Sequence, residues 1–256
     1  MSVTSLLRLE QAGVRQRLLP VDAECHTGEL LHIIGPNGAG KSTLLALMAG
    51  LIEGCGEVVL ADKPLSHWSG RDLALLRAYL PQQHPPVALM PVFQYLWLHQ
   101  PPLNNIAGID DVVQMLAERL MLADKLQRSL TQLSGGEWQR VRLAAVLLQV
   151  WPSVNTSARL LLLDEPDTSL DIAQRVVLDE LLSELCYAGI GVVVSTHDLN
   201  HSLHHADRIW LMADGKLVAQ GKTEKVMQPE TLSPVFGVIF QRHSVDGHHW
   251  MITRSA

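Results

Sequence analysis

Apolar residues recur along this chain in two rhythms. The first is the short unbroken run: Leu30-Leu31-His32-Ile33-Ile34, Leu160-Leu161-Leu162-Leu163 and Val192-Val193-Val194. Runs this short, apolar on consecutive positions, predict strands buried on both faces. Further strands are expected at 57–60 and 209–212, with an edge strand at 216–220. Residues 1–27 mix polar and apolar positions without helical period and read as strands or loops. The second rhythm is helical. It predicts helices over 44–49, with Gly50 as the C-terminal cap, over 69–78 and 93–99, and over 109–127 with Val112, Val113, Leu116, Leu120 and Leu122 on the apolar stripe. It continues with a long helix over Gly135–Val150, ended by Trp151-Pro152, and with 171–188 and 198–205. In the second half strands and helices alternate, which predicts a parallel sheet covered on both faces. The tail from 222 onward has no clear pattern.

Prolines divide this pattern. Pro81, Pro85, Pro86, Pro91, Pro101 and Pro102 interrupt regular structure. They mark 83–152 as a mainly helical insertion in an α/β chain, so that 1–256 reads as one domain carrying an inserted subdomain. At 256 residues and 47% apolar the chain can bury a large core. A formal net charge of −6 argues against a broad nucleic-acid surface, which needs phosphate-neutralising Lys and Arg. No run of 18 apolar residues is present, so the chain is not expected to span a membrane by itself. The start, Met1 to Leu9, lacks the long apolar core of a secretory signal. Cys25, Cys55 and Cys186 have neither metal spacing nor a disulfide pattern, and a reducing cytosol is the simplest compartment. His204-His205 and His248-His249 are expected at the surface, because adjacent histidines on a helix do not share a face.

Chemistry enters between the strand at 30–34 and the helix that follows. Gly35-Pro36-Asn37-Gly38-Ala39-Gly40-Lys41-Ser42-Thr43 fits the phosphate-binding pattern G-x-x-x-x-G-K-[ST] at every fixed position. Its glycines let successive backbone N–H groups turn inward on an anion. Lys41 adds a charge for the β- and γ-phosphates, and Ser42 offers a hydroxyl to Mg²⁺. The helix N-terminus behind the loop favours phosphate further.

Two more clusters extend the site. The strand at 160–163 ends in Asp164-Glu165-Pro166, and carboxylates at the C-terminal edge of a parallel strand face the ligand crevice. Asp164 suits Mg²⁺ and Glu165 suits polarisation of an attacking water. In Leu133-Ser134-Gly135-Gly136-Glu137, Ser134 and Glu137 have the spacing of a capping box. Gly135 and Gly136 are costly in a first helical turn. They make sense where a large anion must approach the bare backbone, which gives a second phosphate site. One chain needs no second site for one γ-phosphate, so this turn is expected to serve a nucleotide held by another copy.

Taken together these motifs resemble the ATP-binding cassette family. The 35–43 loop looks like its Walker A loop, Leu133–Gln139 its signature motif, and Leu160–Asp164 its Walker B strand, with Glu165 as the catalytic glutamate. Ser169-Leu170-Asp171 is similar to its D-loop. His197 in Ser195-Thr196-His197-Asp198 looks like its switch histidine, and Gln82 in Leu80-Pro81-Gln82 its Q-loop glutamine, with Gln83 as a one-residue alternative. The resemblance covers about residues 28–221, in the family's order. It implies an α/β fold: a P-loop NTPase core with a mainly parallel sheet, an antiparallel β part and a helical subdomain. It also implies ATP and Mg²⁺ as ligands. Ser42, Gln82 and Asp164 would lie at the metal, and Glu165, His197 and Gln82 would carry catalysis. Asp171 would link two sites across the interface between copies.

Within the family, the lone cassette resembles those of bacterial importers. The wording from Leu133 through Trp138 to Ala145, with Ala78-Tyr79-Leu80-Pro81-Gln82-Gln83 and His197-Asp198-Leu199-Asn200-His201, is similar to the ATPase subunits of vitamin B12 importers. Siderophore and haem importers have similar cassettes. The implied partners are a second copy, two multi-span permease subunits and, indirectly, a periplasmic substrate-binding protein, with no nucleic acid. The implied location is peripheral, at the cytoplasmic face of the inner membrane. Cassettes of DNA repair or translation have two cassettes or a long coiled coil, and a nucleotide kinase has no use for the Ser134-Gly135-Gly136 turn. The chain departs from the family in one respect. Residues 1–30 contain no Phe, Tyr or Trp to stack on adenine, which leaves Val14 or Arg15 as the expected neighbours of the base. Phe93, Tyr95, Trp97 and Leu98, directly after Gln82, are candidate anchors for a partner or for the insertion's own core.

Overall fold

A computed structural model describes residues 5–82, 85–86, 89–101 and 108–254. Gln83 and Pro102 lie outside the described residues. The chain opens with β1 (Ser5–Val14) and β2 (Leu18–His26), an antiparallel pair. β3 (Leu30–Ile34) runs into the glycine-rich loop and α1 (Lys41–Met48) leaves it. β4 (Cys55–Leu60) and β5 (Lys63–Pro64) add to β1 and make a four-stranded antiparallel sheet in the order β2-β1-β4-β5. α2 (Gly70–Leu76), capped by the Ser69 side chain, leads into β6 (Arg77–Leu80). α3 (Val92–Leu98), α4 (Ile109–Arg119) and α5 (Gly135–Val150) follow. Then come β7 (Leu160–Asp164), α6 (Ile172–Tyr187), β8 (Gly191–Ser195), α7 (Leu199–His205), β9 (Arg208–Ala213) and β10 (Lys216–Lys222). α8 (Thr223–Val226), α9 (Pro229–Phe236) and the hairpin of β11 (Ile239–Val245) and β12 (His248–Arg254) close the described chain.

The main sheet has the order β10-β9-β3-β8-β7-β6. Its inner neighbours are all parallel, and β10 pairs antiparallel at one edge. Strand alternation assigns its side chains to two cores. Leu161, Leu163, Val192 and Val194 face α5, α6 and the insertion. Leu160, Leu162 and Val193 face α1 and the antiparallel sheet. All four leucines of 160–163 are wholly buried, and each such side chain contributes about 1.5–3 kcal/mol. A sheet covered on both faces explains why these strands read as unbroken apolar runs.

Three expectations are corrected. The helix expected over 69–78 stops at Leu76, and Arg77–Leu80 is an edge strand parallel to β7. Ala78 and Leu80 bury on the α5 side, and this tertiary pairing outweighs any local preference of four residues. The helix expected over 109–127 ends at Arg119. Met121 takes φ 54°, its N–H donates to Glu118 O, and Leu122 N–H donates to Ala117 O. That pair of bonds is a Schellman motif with methionine where glycine usually stands. It turns Leu122 back into the core. The tail beyond 222 is ordered by a third core, in which Val226, Met227, Leu232, Phe240 and Met251 cover Ile34, Ile209 and Leu211. At α1 the expected cap holds, since Gly50 takes φ 67° with bonds to Leu47 O and Ala46 O made by Gly50 and Leu51.

Candidate functional site

Four parallel strands end side by side, and the candidate residues leave from those ends. β8 lies between β3 and β7, and β6 flanks β7. Ser195 pairs with Ile33 on one side and Asp164 on the other. Thr196 N–H donates to Ile33 O and so carries His197 out beside the root of the 35–43 loop. The order of strands thus gathers segments 35–43, 82, 164–165 and 195–197, which are far apart in sequence.

The loop is built for an anion. Gly35 takes φ 150°, and a Cβ there would lie 2.2 Å from Met212 O. Gly38 takes φ 79° with open space where its Cβ would be, and Gly40 takes φ 100° as the uncapped residue before α1. Lys41 is buried and donates to Gly35 O at 2.8 Å and Pro36 O at 3.2 Å. Burial pushes its ammonium pKa down, while Glu165 and Asp164 hold it up, which places both carboxylates within electrostatic reach of the loop. Ser42 is exposed at the start of α1.

The carboxylates are positioned by a residue that the sequence reading did not single out. Ser195 Oγ donates to Asp164 Oδ1 at 2.5 Å and accepts from Glu165 N–H at 3.0 Å. The same N–H lies 3.2 Å from Ser195 O. Glu165 takes φ 49°, off the strand direction, and Gln82 Nε2 donates to its Oε2 at 3.2 Å. Gln82, Lys41, Asp164 and Glu165 therefore converge. His197 is exposed at the rim. Asp171 is exposed as the N-cap of α6, where it forms a capping box with Gln174.

The Ser134-Gly135-Gly136 turn opens α5. Ser134 and Glu137 form the expected capping box: Ser134 Oγ accepts from Glu137 N–H and Glu137 Oε2 from Ser134 N–H. With Gln82, Glu165 and Thr168 this turn lines a cleft of about 430 Å³. No described residue of the 35–43 loop borders that cleft. One expectation is qualified here. A Cβ on Gly136 would lie 2.8 Å from Ser169 O, so this glycine answers a close backbone approach within the chain.

Two buried polar residues of α5 also escaped the sequence reading. Arg142 donates to Gln139 Oε1, Pro81 O and Gln82 O, and Gln139 Nε2 donates to Pro166 O at 2.9 Å. Together they tie the signature helix to both Gln82 and the carboxylate turn. Their signal was present: polar residues at i and i+3 on a helix otherwise rich in Val, Leu and Ala. A cleft of about 450 Å³ beside Gly38, Gly40 and Thr43 is lined by Gln16, Arg17, Leu19 and Asp214, with neither Val14 nor Arg15 among its walls. Of the four candidate anchors, Tyr95 packs edge-on against Trp138, ring centroids 5.1 Å apart. Phe93, Trp97 and Leu98 are exposed.

Comparison with known proteins bears on this arrangement. The family profile described as ABC transporter matches residues 18–168. The chain is 69% identical over 250 residues to the vitamin B12 import ATP-binding protein BtuD of Pectobacterium atrosepticum, covering 98% of this chain and 100% of that one. It is 50% identical over 248 residues to the protein of the same name from Escherichia coli, covering 97% and 98%. Among solved structures, the ATP-binding subunit of an ABC transporter superposes with TM-score 0.78 at 24% identity, covering 91% and 94%. A nucleotide-free ATP-binding cassette from an ABC transporter gives 0.72 at 22%, covering 91% and 96%. These last two likenesses establish the fold alone. The profile spans more than half the chain and the relatives share half or more of its residues from end to end, so the chain belongs to the ABC transporter family.

Proposed function

We propose that this chain is the ATP-hydrolysing subunit of a bacterial vitamin B12 importer, and that Gln82, Asp164, Glu165 and His197 do its chemistry. Residues 1–256 form one cassette with 83–152 as its inserted helical subdomain. The observation that carries the chemistry is the convergence of Lys41, Asp164, Glu165 and Gln82 at one sheet edge. The cargo follows from the relatives named for vitamin B12 import.

The triphosphate lies on the N–H groups of Gly35, Pro36–Ala39 and Gly40 to Thr43, except for Pro36, which has none. Lys41 exchanges the carbonyls of Gly35 and Pro36 for phosphate oxygens, a trade of neutral acceptors for charged ones. Asp164 and Ser42 present hard oxygen donors at the loop, a set that suits Mg²⁺, with Gln82 beside them. Mg²⁺ held by these residues would supply positive charge against the phosphate oxygens. Glu165 orients water for in-line attack, held by Gln82 on its carboxylate and by Ser195 on its backbone. His197 contacts the γ-phosphate from the rim. Ser134, Gly135 and Gly136 meet the γ-phosphate of a second copy packed head to tail, and Asp171 joins the two sites. The assembly rests on two membrane permease subunits at the cytoplasmic face of the inner membrane. A periplasmic binding protein delivers cargo from the other side.

Glu165→Gln tests the reading. It keeps the size and a hydrogen bond to Gln82 but cannot take a proton. We expect ATP turnover in the reconstituted complex to fall by at least about 10²-fold, with a nucleotide-dependent dimer by light scattering. Radiolabelled cobalamin uptake should vanish with it. Retained turnover would sink the assignment of Glu165, and uptake of an iron siderophore in place of cobalamin would sink the cargo.

A further inference from the structure

Nucleotide chemistry needs His197 alone among the histidines of the switch region, yet the next helix brings two more together. His201 and His205 stand one turn apart on α7, so both rings leave the same side. They stack with centroids 4.4 Å apart. Asp179 of α6 faces them. Its Oδ2 and Oδ1 lie 2.9 Å and 3.0 Å from His201 Nε2, and its Oδ2 lies 3.9 Å from His205 Nε2. The three donor atoms all lie within 4.8 Å of one another.

We propose that Asp179, His201 and His205 form a site for a divalent d-block cation of the Zn²⁺ class, separate from the nucleotide's Mg²⁺. Two imidazoles and a carboxylate are a borderline donor set that suits Zn²⁺ and not Mg²⁺. Zn²⁺ bound at its usual distances sets tetrahedral donors about 3.3 Å apart. Asp179 and His201 already meet that spacing. His205 must close by roughly 1 Å, and its side chain is 43% exposed, so the move displaces no core residue. The exposed side of His205 leaves the fourth position to water.

The surroundings favour a cation. Asp198 accepts the His201 main-chain N–H at 2.9 Å and fixes the first turn of α7. His32, buried on β3, lies stacked behind the His201 ring at 5.7 Å. Asp179, Asp198 and Asp167 all add negative potential at His201. The opposing charge is Arg175, whose Nη1 is 3.8 Å from Asp198 Oδ2. A cavity of about 20 Å³ opens between Asp179, His201 and His32, room for one water.

The placement gives the ion a consequence. α6 starts at Asp171 and α7 starts directly after His197-Asp198. A cation shared by Asp179 and the two histidines would staple the helices that follow the D-loop and the switch histidine.

The test uses the full chain without nucleotide, since ATP competes for metal. ZnCl₂ titrated into it by calorimetry should bind at one equivalent. Co²⁺ in its place should give the intense visible bands of a four-coordinate site. His205→Ala removes an exposed ligand without touching the core, and should weaken Zn²⁺ at least about tenfold and abolish those bands. Asp179→Asn should do the same. A variant with His204, His248 and His249 all changed to alanine removes the neighbouring surface histidines and should bind as the parent does. Equal affinity in parent and His205→Ala, loss only in the triple variant, or no binding to the parent would each overturn the site.

Discussion

Ser195 is the residue on which the geometry of the carboxylates turns. A hydroxyl can donate once and accept twice, and Ser195 donates to Asp164 and accepts from Glu165 N–H. One side chain therefore sets the orientation of the proposed metal ligand and the register of the proposed water-orienting glutamate. Without it, Glu165 N–H retains Ser195 O, while the buried Asp164 loses a donor. The first contact is redundant and the second is not, so the effect falls on Asp164. Ser195→Ala is expected to lower ATP turnover about 10- to 100-fold, the range for losing a group that orients a metal ligand. It should cost about 1–3 kcal/mol of stability for the under-satisfied carboxylate. Steady-state ATPase assays and urea melts check both parts. A loss of stability with unchanged turnover would reduce Ser195 to a packing role. The sequence places this serine only as the first residue of Ser195-Thr196-His197-Asp198, at the end of an apolar strand, and gives it no role of its own. Its role exists only once β7 and β8 pair.

At the scale of elements, α5 decides how the signature turn sits. Its first turn carries Gly136, and alanine there has two opposed effects. Helix propensity favours alanine by at most about 1 kcal/mol. Against that, the new Cβ would lie 2.8 Å from Ser169 O, a backbone atom, and overpacking of this kind costs about 1–3 kcal/mol. The steric term wins. Gly136→Ala should lower the melting temperature, by about 2–4 °C for a chain of this size. It should also depress ATP turnover by displacing the segment that leads to Asp171. A rise in melting temperature would disprove the close approach. α5 was legible from end to end, because its capping box, apolar run and terminal Trp151-Pro152 agree. α4 was not, because its left-handed terminal residue is Met121 and no glycine marks the stop. β6 was hidden for a different reason. Four residues of mixed polarity become a strand only because β7 offers them an edge.

The whole molecule joins two tasks. One end of the main sheet gathers groups from β3, β6, β7 and β8, and this gathering was legible because phosphate chemistry fixes residue types and spacings. What the insertion presents outward was only half legible, since aromatic residues fill cores as readily as interfaces. The structure separates the two uses by helix face. On α3, Val92 and Leu96 are buried and Tyr95 packs on Trp138, while Phe93 and Trp97, four residues apart, share the exposed face with Leu98 beside them. Trp97 is 65% exposed and Phe93 46%. Large aromatics clustered on a surface mark a contact site. The patch lies on the segment that begins at Gln82, and Gln82 is tied to Glu165 at one atom and to Arg142 at another. α3 packs through Tyr95 on Trp138 of α5, the helix whose Arg142 donates to Gln82 O, so the permease is expected to dock here. Removing an aromatic anchor from an interface costs about 2 kcal/mol or more, a factor of roughly 30 in binding. Phe93 and Trp97 are exposed on α3 and belong to no part of the 35–43 loop. The double substitution Phe93→Ala, Trp97→Ala should therefore leave ATP affinity within about twofold of the parent. It should lower cobalamin uptake in proteoliposomes at least about tenfold. Nucleotide titrations on the isolated chain and transport by the assembled complex separate the two effects. Full uptake with both aromatics gone would move the docking face off α3.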